Sequence, residues 1–149
     1  MTTWCLTTSP DNFARTAELG WKLQGIKSRR GNTAREIHPG DKLVYYVTKH
    51  VAFGAIAVVT SEVFEDHDPI WTSKPGEDYP WRFPIQAELV ITDPTSWVPA
   101  EELREELEFP RKWPPEHWKL AFQGNIRQWP DHDYEVVKAA LGEAVGQRR

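Results

Sequence analysis

The chain has 149 residues, a length that indicates one domain able to fold without stabilising cross-links. Because Cys5 is its one cysteine, an internal disulfide is excluded. The formal net charge of −4 argues against bulk electrostatic adhesion to nucleic acid, and no window reaches the roughly 20 apolar residues of a membrane-spanning helix. Because Met1-Thr2-Thr3 lacks the basic and apolar segments of a secretion signal, and because a lone thiol fits a reducing compartment, we expect a cytoplasmic protein without membrane contact.

The first elements in chain order are a strand and a helix joined by a short turn. Residues 3–8 are apolar and β-branched, which predicts a strand. Ser9 is a suitable N-cap and Pro10 suits the first helical position, so a helix is predicted from there to about Leu19, closed by Gly20. The junction presents backbone N–H groups and hydroxyls to a ligand, supplied by Thr7, Thr8 and Ser9.

The segment from Trp21 to Gly40 has no hydrophobic period and is rich in positive charge. The segment from Lys22 to Lys42 contains six basic residues and two acidic ones. Long connections in small domains are often functional, and a basic stripe on an acidic protein indicates contact with a polyanion. An ordinary solvated loop is the alternative. The basic residues are Lys22, Lys27, Arg29, Arg30, Arg35 and Lys42.

Three strands are predicted in the middle of the chain. Residues 41–48 and 53–64 are rich in Val, Ile and Tyr, and Gly54 indicates a bulge or a close backbone approach. Residues 82–91 alternate between apolar and polar side chains, which predicts a half-buried strand with Arg82 on its solvated face.

The last third is predicted to be mostly helical. Short helices are expected at 99–107 and 114–121, a small strand at 124–128, and a final helix from Pro130 to about Glu143. Residues 144–149 are expected to form a frayed tail of the single domain, which spans residues 1–149. Strands followed by helices indicate an α+β fold, with a small mixed or barrel-like sheet and helices at its edges.

Eight tryptophans are more than a core of this size needs, because each indole N–H requires a partner. Trp71 and Trp81 flank a loop rich in Pro and Gly, where two rings can stack on the faces of a planar base; covering an open sheet edge is their alternative role. The remaining rings are expected to pack helices and strands together, except Trp21, which stays a reserve candidate for binding: Trp4, Trp97, Trp113, Trp118 and Trp129.

Catalytic motifs are absent from the sequence. It contains no Gly-x-Ser-x-Gly, no His-Glu-x-x-His and no phosphate loop. Asp66-His67-Asp68 is interpreted as a solvated acidic loop and Asp131-His132-Asp133 as the first turn of a helix. We therefore predict no catalytic residue, metal or cofactor. A hydrolase or nuclease that uses His67 and His132 with neighbouring acids is the alternative from another class.

Several stretches in a fixed order resemble a known family. No single stretch is diagnostic, but their order and spacing together are specific. The chain resembles the EVE domain, a PUA-like fold similar to the YTH domains that read methylated bases. The stretches are Trp4-Cys5-Leu6-Thr7-Thr8, Gly25-Ile26-Lys27, Asn32-Thr33, Pro39 to Val47, Phe53 to Ser61, Tyr79-Pro80-Trp81-Arg82, Trp118, Phe122-x-Gly124 and Pro130-x-x-Asp133-Tyr134.

The resemblance implies a small PUA-like mixed β-barrel or curved sheet flanked by short helices, with an aromatic pocket for a modified base. Trp71 matches the loop that supplies one cage ring. The opposite wall position holds Ile26 or Lys27 instead of tryptophan, so either Trp21 or Trp81 substitutes for it or the ligand is held differently. The implied base pocket comprises Thr7, Thr8, Ser9, Trp21, Gly25, Ile26, Lys27, Asn32, Trp71, Tyr79 and Trp81.

The same resemblance implies a non-enzymatic reader of a methylated or hydroxymethylated base flipped out of nucleic acid, more in DNA than in RNA. Compact bacterial members of the family resemble recognition modules of modification-dependent restriction systems. We therefore expect this chain to act alone or with a separate nuclease or modification-system protein. A PUA-like reader of modified RNA is the alternative. Phosphates are expected at Lys22, Lys27, Arg29, Arg30 and Arg35.

Overall fold

The computed structural model describes residues 1–146. It contains a mixed β-sheet, four short α-helices and several 3-10 turns. The strands are β1 Thr3–Thr8, β2 Leu23–Ile26, β3 Lys42–Val47, β4 Ala52–Val59, β5 Phe64–Glu65, β6 Trp81–Val90, β7 Val98–Pro99 and β8 Ile126–Trp129. The helices are α1 Pro10–Glu18, α2 Gly31–Ala34, α3 Ala100–Leu103 and α4 Asp131–Gly146, and the 3-10 turns are Ser28–Arg30, Pro94–Ser96, Phe109–Lys112 and Pro115–Phe122.

The sheet runs in the order β2-β6-β4-β3-β1-β8, with β5 paired to β6 and β7 paired to β4. Strand β1 runs parallel to β3 and antiparallel to β8, and the other pairs are antiparallel. Bulges interrupt the β3–β4 and β4–β6 pairs. Bulges increase local twist, so the sheet curls into a half-barrel with short helices around it. The predicted α+β class is confirmed.

The predicted junction of β1 and α1 is confirmed in detail. The Oγ atom of Ser9 accepts a hydrogen bond from the backbone N–H of Asn12 at 3.1 Å, and Pro10 begins the helix. The prediction for Gly54 is also confirmed. Tyr45 pairs with Ala55 and Tyr46 with Phe53, so Gly54 is the extra residue of a bulge. A Cβ atom there would lie 2.9 Å from Nε1 of Trp97.

The core confirms the packing expected for most of the tryptophans. Trp4, Trp97, Trp118 and Trp129 are buried. On α4, Tyr134, Val137 and Leu141 are likewise buried. Phe122 stacks on Tyr46 with ring centroids 4.0 Å apart, which fixes the turn Pro115–Phe122 against the sheet.

Several predicted boundaries were wrong. The region from Trp21 to Gly40 contains β2, a 3-10 turn and α2; β4 ends at Val59; and α3 ends at Leu103. Strand β2 has four residues and is held by its pairing with β6, which no local period reveals. Helix α4 continues through Gly146, where a frayed tail was expected from residue 144, and residues 147–149 of that expected tail lie outside the described part of the chain.

Arg82 was predicted on the solvated face of β6, and this was wrong. Its side chain is 1% exposed, with Nε donating to the carbonyl oxygen of Tyr79 at 3.1 Å and Nη1 lying 3.5 Å from a carboxylate oxygen of Asp66. The loop before β6 folds back over the strand and covers this position. Among residues 1–146, no helix has the length and apolar character needed to cross a membrane.

Candidate nucleic-acid interface

A cavity of about 670 Å³ opens where β1 ends and α1 begins. Its walls come from five parts of the chain: the β1–α1 junction, β2 and the turn after it, the end of β3, the loop before β6, and the segment before β8. Hydroxyls, amides, two cationic side chains and three aromatic rings share the surface. The lining residues are Leu6, Thr7, Thr8, Ser9, Asp11, Asn12, Gln24, Lys27, Arg29, Thr48, Trp71, Thr72, Ser73, Tyr79, Phe122, Gln123, Gly124 and Asn125.

Asn125 joins three segments on one side of the cavity. Its carbonyl oxygen accepts from the backbone N–H of Thr7 at 2.9 Å, and its side-chain Oδ1 accepts from the backbone N–H of Lys27 at 2.8 Å. The hydroxyl of Thr7 donates to the carbonyl of Phe122 at 2.6 Å. These bonds hold the ends of β1 and β2 beside the start of β8, so this wall is rigid.

Asn12 fastens the opposite wall to α1. Its Nδ2 donates to the carbonyl oxygen of Thr72 at 2.9 Å, and its Oδ1 accepts from the Thr72 N–H at 3.0 Å. The same Nδ2 lies 3.4 Å from the hydroxyl of Tyr79. The Asn12 amide thus both donates to and accepts from the backbone of Thr72, which lies in a loop. The connection positions the loop that carries Thr72 and Tyr79.

Trp71 forms part of the back of the cavity and is held on several sides. Its Nε1 donates to the Thr16 hydroxyl at 3.0 Å, and the Arg82 guanidinium lies 5.3 Å from the ring centroid, which permits a cation–π contact. A Cβ atom on Gly25 would lie 2.7 Å from Cζ3 of the ring. Only 2% of Trp71 is exposed. The ring therefore offers a fixed wall and not two open faces.

A buried hydrogen-bond chain continues from Trp71 into the sheet. The hydroxyls of Thr16 and Tyr45 both donate to Oε1 of Gln24, at 2.9 and 3.0 Å. Burial raises the pKa of Tyr45 well above its usual value, so its phenol remains a donor. Gln24 lines the cavity and donates through Nε2 to the Gly25 carbonyl at 2.9 Å. Its orientation is thus fixed before any ligand arrives.

Positive charge gathers at the rim of the cavity. Lys27 and Arg29 line it, and Nζ of Lys27 lies 3.4 Å from a carboxylate oxygen of Glu77. Arg30 is half-buried, and no hydrogen-bond acceptor lies within reach of its Nε. Burial and then the neighbouring charges of Arg29 and Arg127 lower the pKa of Arg30. Arg30 and Arg127 both approach Gly124, a residue of the cavity wall: a Cβ atom there would lie 2.5 Å from Nη2 of Arg30 and 3.9 Å from Nε of Arg127.

The structure gathers only part of the predicted base pocket. Six of the eleven candidates line the cavity: Thr7, Thr8, Ser9, Lys27, Trp71 and Tyr79. Their roles in binding stay predictions. Gly25 lies behind Trp71, and Ile26 is fully buried.

Neither ring considered for the opposite wall lines this cavity. Trp21 packs edge-on against Phe13 and Tyr45, with centroids 5.1 Å away in each case. Trp81 lies in a separate groove together with Asn32. Trp71 and Trp81 are therefore not arranged to stack on the two faces of one base, because the two rings line different surfaces.

The predicted phosphate contacts also divide. Lys27 and Arg29 line the cavity, whereas Arg35 lines the separate groove and Lys22 is an exposed residue before β2 that lines neither. Sequence reasoning missed Arg127, which lies far along the chain beside Arg30.

The residues that sequence reasoning missed in the cavity are mainly amides. Asn12 had a usable signal, because it follows the predicted N-cap in the first turn of α1. Gln24 and Asn125 had none, because a lone amide in a short strand or a turn is unremarkable until distant segments meet.

His67 fastens the outer part of the loop before β6. Its Nε2 lies 2.7 Å from a carboxylate oxygen of Glu65, and its Nδ1 contacts the carboxylate of Asp78. The carbonyl of Asp78 accepts from the N–H of Ser28 at 3.1 Å. Hydrogen bonds that the carboxylates of Asp78 and then Glu65 accept raise the pKa of His67, and the same bond to His67 lowers the pKa of Asp78.

We expect this contact to make stability depend on pH. The pKa of His67 is raised in the folded chain, so its contribution is complete below the ordinary histidine value of about 6.5 and is lost as pH rises through the folded value. The effect is small because His67 is exposed. Between about pH 6 and about pH 8, the melting temperature should fall more for the wild type than for His67→Gln. His117→Gln, at an exposed histidine, is the control, and equal slopes for wild type and His67→Gln would contradict the expectation.

The alternative nuclease site is not assembled. Within residues 1–146, one group of three potential metal ligands lies within 4.8 Å: Glu108, His132 and Asp133. His67 is not in it. The two carboxylate oxygens of Asp133 accept from the N–H groups of Glu108 and Phe109 at 2.7 and 2.8 Å, so Asp133 serves the adjoining 3-10 turn. The pairing of His67 with His132 is therefore wrong.

Comparison with known proteins identifies the family. The model of the EVE domain matches residues 2–139. The chain belongs to the EVE domain family. A UPF0310 protein of Pyrococcus abyssi is 30% identical over 151 residues, covering 95% of this chain and 100% of the relative. The resemblance seen in the sequence is thus confirmed. This relative is archaeal, so the bacterial type implied by the resemblance stays a prediction.

Solved structures of similar fold include nucleic-acid complexes. The Pho92 YTH domain in complex with m6A has a TM-score of 0.65 at 14% identity, covering 96% of this chain and 85% of that chain. Human THYN1 in complex with 5-methylcytosine-containing DNA has a TM-score of 0.61 at 14% identity, covering 94% of this EVE domain and 98% of THYN1. The PUA-like fold is confirmed.

Proposed function

We propose that this EVE domain is a non-enzymatic module that binds nucleic acid by receiving one modified base, flipped out of its strand, in the cavity at the end of β1. The observation that carries the proposal is a preformed cavity whose interior is aromatic and amide-lined and whose rim is cationic. Its volume of about 670 Å³ is typical of small-molecule pockets.

The polar groups inside are suited to reading the edge of a base. Thr7 donates its hydroxyl proton to Phe122, but the Thr8 hydroxyl has only a long bond of 3.3 Å to the carbonyl of Ser9. Ser9 accepts from Asn12 and keeps its own hydroxyl proton. Two hydroxyl donors therefore remain for a ligand, beside the side-chain amides of Asn12, Gln24 and Asn125, which are already bonded.

The cationic rim would bind the phosphates of the strand that carries the base. Phosphates next to a flipped nucleotide would lie against Arg29, Arg30 and Arg127. Such contacts fix position without reading sequence. Because the whole chain carries a net charge of −4, attraction is local, and binding outside the cavity is expected to be weak and salt-sensitive. Discrimination would come from the cavity.

Within this proposal, DNA is the preferred carrier over RNA. Supporting it, the similarity to THYN1, which was solved with 5-methylcytosine-containing DNA, spans 98% of that chain. RNA carrying a modified base is the second candidate, supported by the similar fold of a YTH domain solved with m6A. Both carriers place the base in the same cavity, so one experiment can separate them.

That experiment is a titration of matched oligonucleotides containing one 5-methylcytosine, 5-hydroxymethylcytosine or N6-methyladenine, or the plain base, each as DNA and as RNA. One modified base is expected to bind at least about fivefold tighter than its plain counterpart, since a well-placed base contact is worth roughly 1–3 kcal/mol. Thr8→Val should reduce that ratio, whereas Thr60→Val, at an exposed threonine outside the cavity, should not. Equal affinity for every modified and plain oligonucleotide would refute the proposal.

A further inference from the structure

A second groove, of about 410 Å³, lies between α2 and the short edge strand β5. Phe64 on β5 is 42% exposed beside it. The floor combines apolar and charged groups, and one indole forms part of it. The lining residues are Gly31, Asn32, Ala34, Arg35, Ile37, Glu62, Val63, Phe64, Glu65 and Trp81.

Trp81 is the unusual member of this groove. Its Nε1 donates to the carbonyl of Ser28 at 2.9 Å, and the ring packs on Gly31, where a Cβ atom would lie 3.3 Å from Cζ2. Among residues 1–146 it is the one partly exposed tryptophan that no other ring or cation contacts. Trp21 and Trp113 are equally half-exposed, but each is engaged by a neighbouring ring. The hydrogen bond of its N–H thus holds Trp81 in place, and part of its ring remains exposed to solvent.

We propose that Trp81 is a stacking platform for a second base of the same strand, one or two nucleotides from the base in the cavity. This inference rests on the proposed function. The two surfaces adjoin the same segment, from Lys27 to Gly31, since Arg29 lines the cavity and Gly31 lines the groove. Residues two apart span at most about 7 Å, and successive bases of a strand are separated by about 3.4 Å when stacked. The proposal requires a neighbouring base to span a distance of this order.

The charges of the groove fit a base better than a phosphate. Two carboxylates, Glu62 and Glu65, line the groove together with Trp81, against one cation, Arg35. Glu65 lies 2.7 Å from His67, and Glu62 lies 3.9 Å from His38. Carboxylates repel phosphate but accept hydrogen bonds from exocyclic amino groups. The phosphate would remain on the side of Arg29. We therefore expect adenine, cytosine or guanine at this position to bind better than thymine or uracil.

The test combines a protein variant with an abasic nucleotide. Oligonucleotides carry the preferred modified base, and each neighbour within two nucleotides on either side is replaced in turn by an abasic site. In the wild type, one such replacement is expected to weaken binding by about fivefold to a hundredfold, the range for loss of one stacked base. Trp81→Ala should weaken binding of the intact oligonucleotide by a similar factor and make it insensitive to that abasic site. Affinity for the free modified nucleoside should stay unchanged.

Two controls keep the outcome specific. Leu120→Ala removes an exposed apolar side chain outside both surfaces and should keep the wild-type sensitivity. Trp81→Phe keeps a ring without the N–H and should retain most of the sensitivity, which also covers the case in which Trp81→Ala does not fold.

Three results would overturn the inference and leave the proposed function intact. The first is a wild type that prefers the modified base but ignores every abasic replacement, as expected if a protein partner occupies the groove. The second is an equal abasic effect in wild type and Trp81→Ala. The third is a loss of free-nucleoside affinity in Trp81→Ala, which would mean that the ring only supports the fold. Absence of any preference for a modified base would instead refute the proposed function.

Discussion

Gly25→Ala is expected to abolish preference for the modified base and to destabilise the fold by about 1–3 kcal/mol, the usual cost of overpacking. The added Cβ atom would lie 2.7 Å from Cζ3 of Trp71 and 2.9 Å from the carbonyl oxygen of Tyr79. Trp71 has little room to retreat, because Thr16 holds its N–H and Arg82 lies over its ring. The ring is therefore expected to shift toward the cavity.

The measurements are chemical unfolding and oligonucleotide titration of the folded variant. Gly142→Ala is the matched control, since nothing lies within 4 Å of a Cβ atom at that exposed position of α4. Alanine is favoured over glycine inside a helix by about 0.5–1 kcal/mol, so this control should gain stability and keep its binding. A Gly25→Ala variant with wild-type stability and base preference would show that Trp71 is not held as described.

Asn12→Ala is expected to release the loop that carries Thr72 and Tyr79. The substitution removes the two hydrogen bonds exchanged with the Thr72 backbone and the 3.4 Å contact with Tyr79. At about 1 kcal/mol for each hydrogen bond, the local cost is about 2 kcal/mol. Alanine is a better helix former than asparagine, so α1 itself should not weaken. A cavity with one loose wall should lose roughly tenfold or more in affinity for the modified base.

Hydrogen exchange of residues 66–80 measures the release directly. Protection should fall in this loop and stay unchanged in β3 and β4, which form the middle of the sheet. Arg15→Ala on the same helix is the control, because its ion pair with Glu18 is exposed and worth little. Asn12→Asp keeps the acceptor for the Thr72 N–H but sets a buried carboxylate oxygen against the Thr72 carbonyl, so it should release the loop as well. Unchanged loop protection in Asn12→Ala would contradict the assignment.

The elements read most accurately from the sequence are those with a strong local signal. Ser9 and Pro10 marked the start of α1, and the apolar runs marked β3 and β4. Gly54 indicated a bulge because a glycine inside such a run leaves a strand position with no side chain to pack. The end of β1 could be proposed as a binding surface from the residues alone, because a strand that ends before a capped helix presents hydroxyls and backbone N–H groups there.

The two tryptophans that the sequence predicts for base binding show what local signals cannot distinguish. Trp71 and Trp81 flank one loop and have the same chemistry, so the sequence treats them alike. In the fold, Nε1 of Trp71 donates to the Thr16 hydroxyl, whereas Nε1 of Trp81 donates to the carbonyl of Ser28. Which surface each ring lines depends on the pairing of β6 with β2, a contact between residues far apart in the chain.

Length, composition and the order of the motifs were sufficient to establish the family, the α+β class and the strand-to-helix turn beside the cavity. These three features rest on signals within a few residues or on the order of such signals along the chain. The cavity walls depended on folding. Asn12, Gln24 and Asn125 become residues of the cavity wall because their amides bridge distant segments, and Arg82 is buried because a loop returns over it. Such contacts leave no period in the sequence, so only the packed chain reveals them.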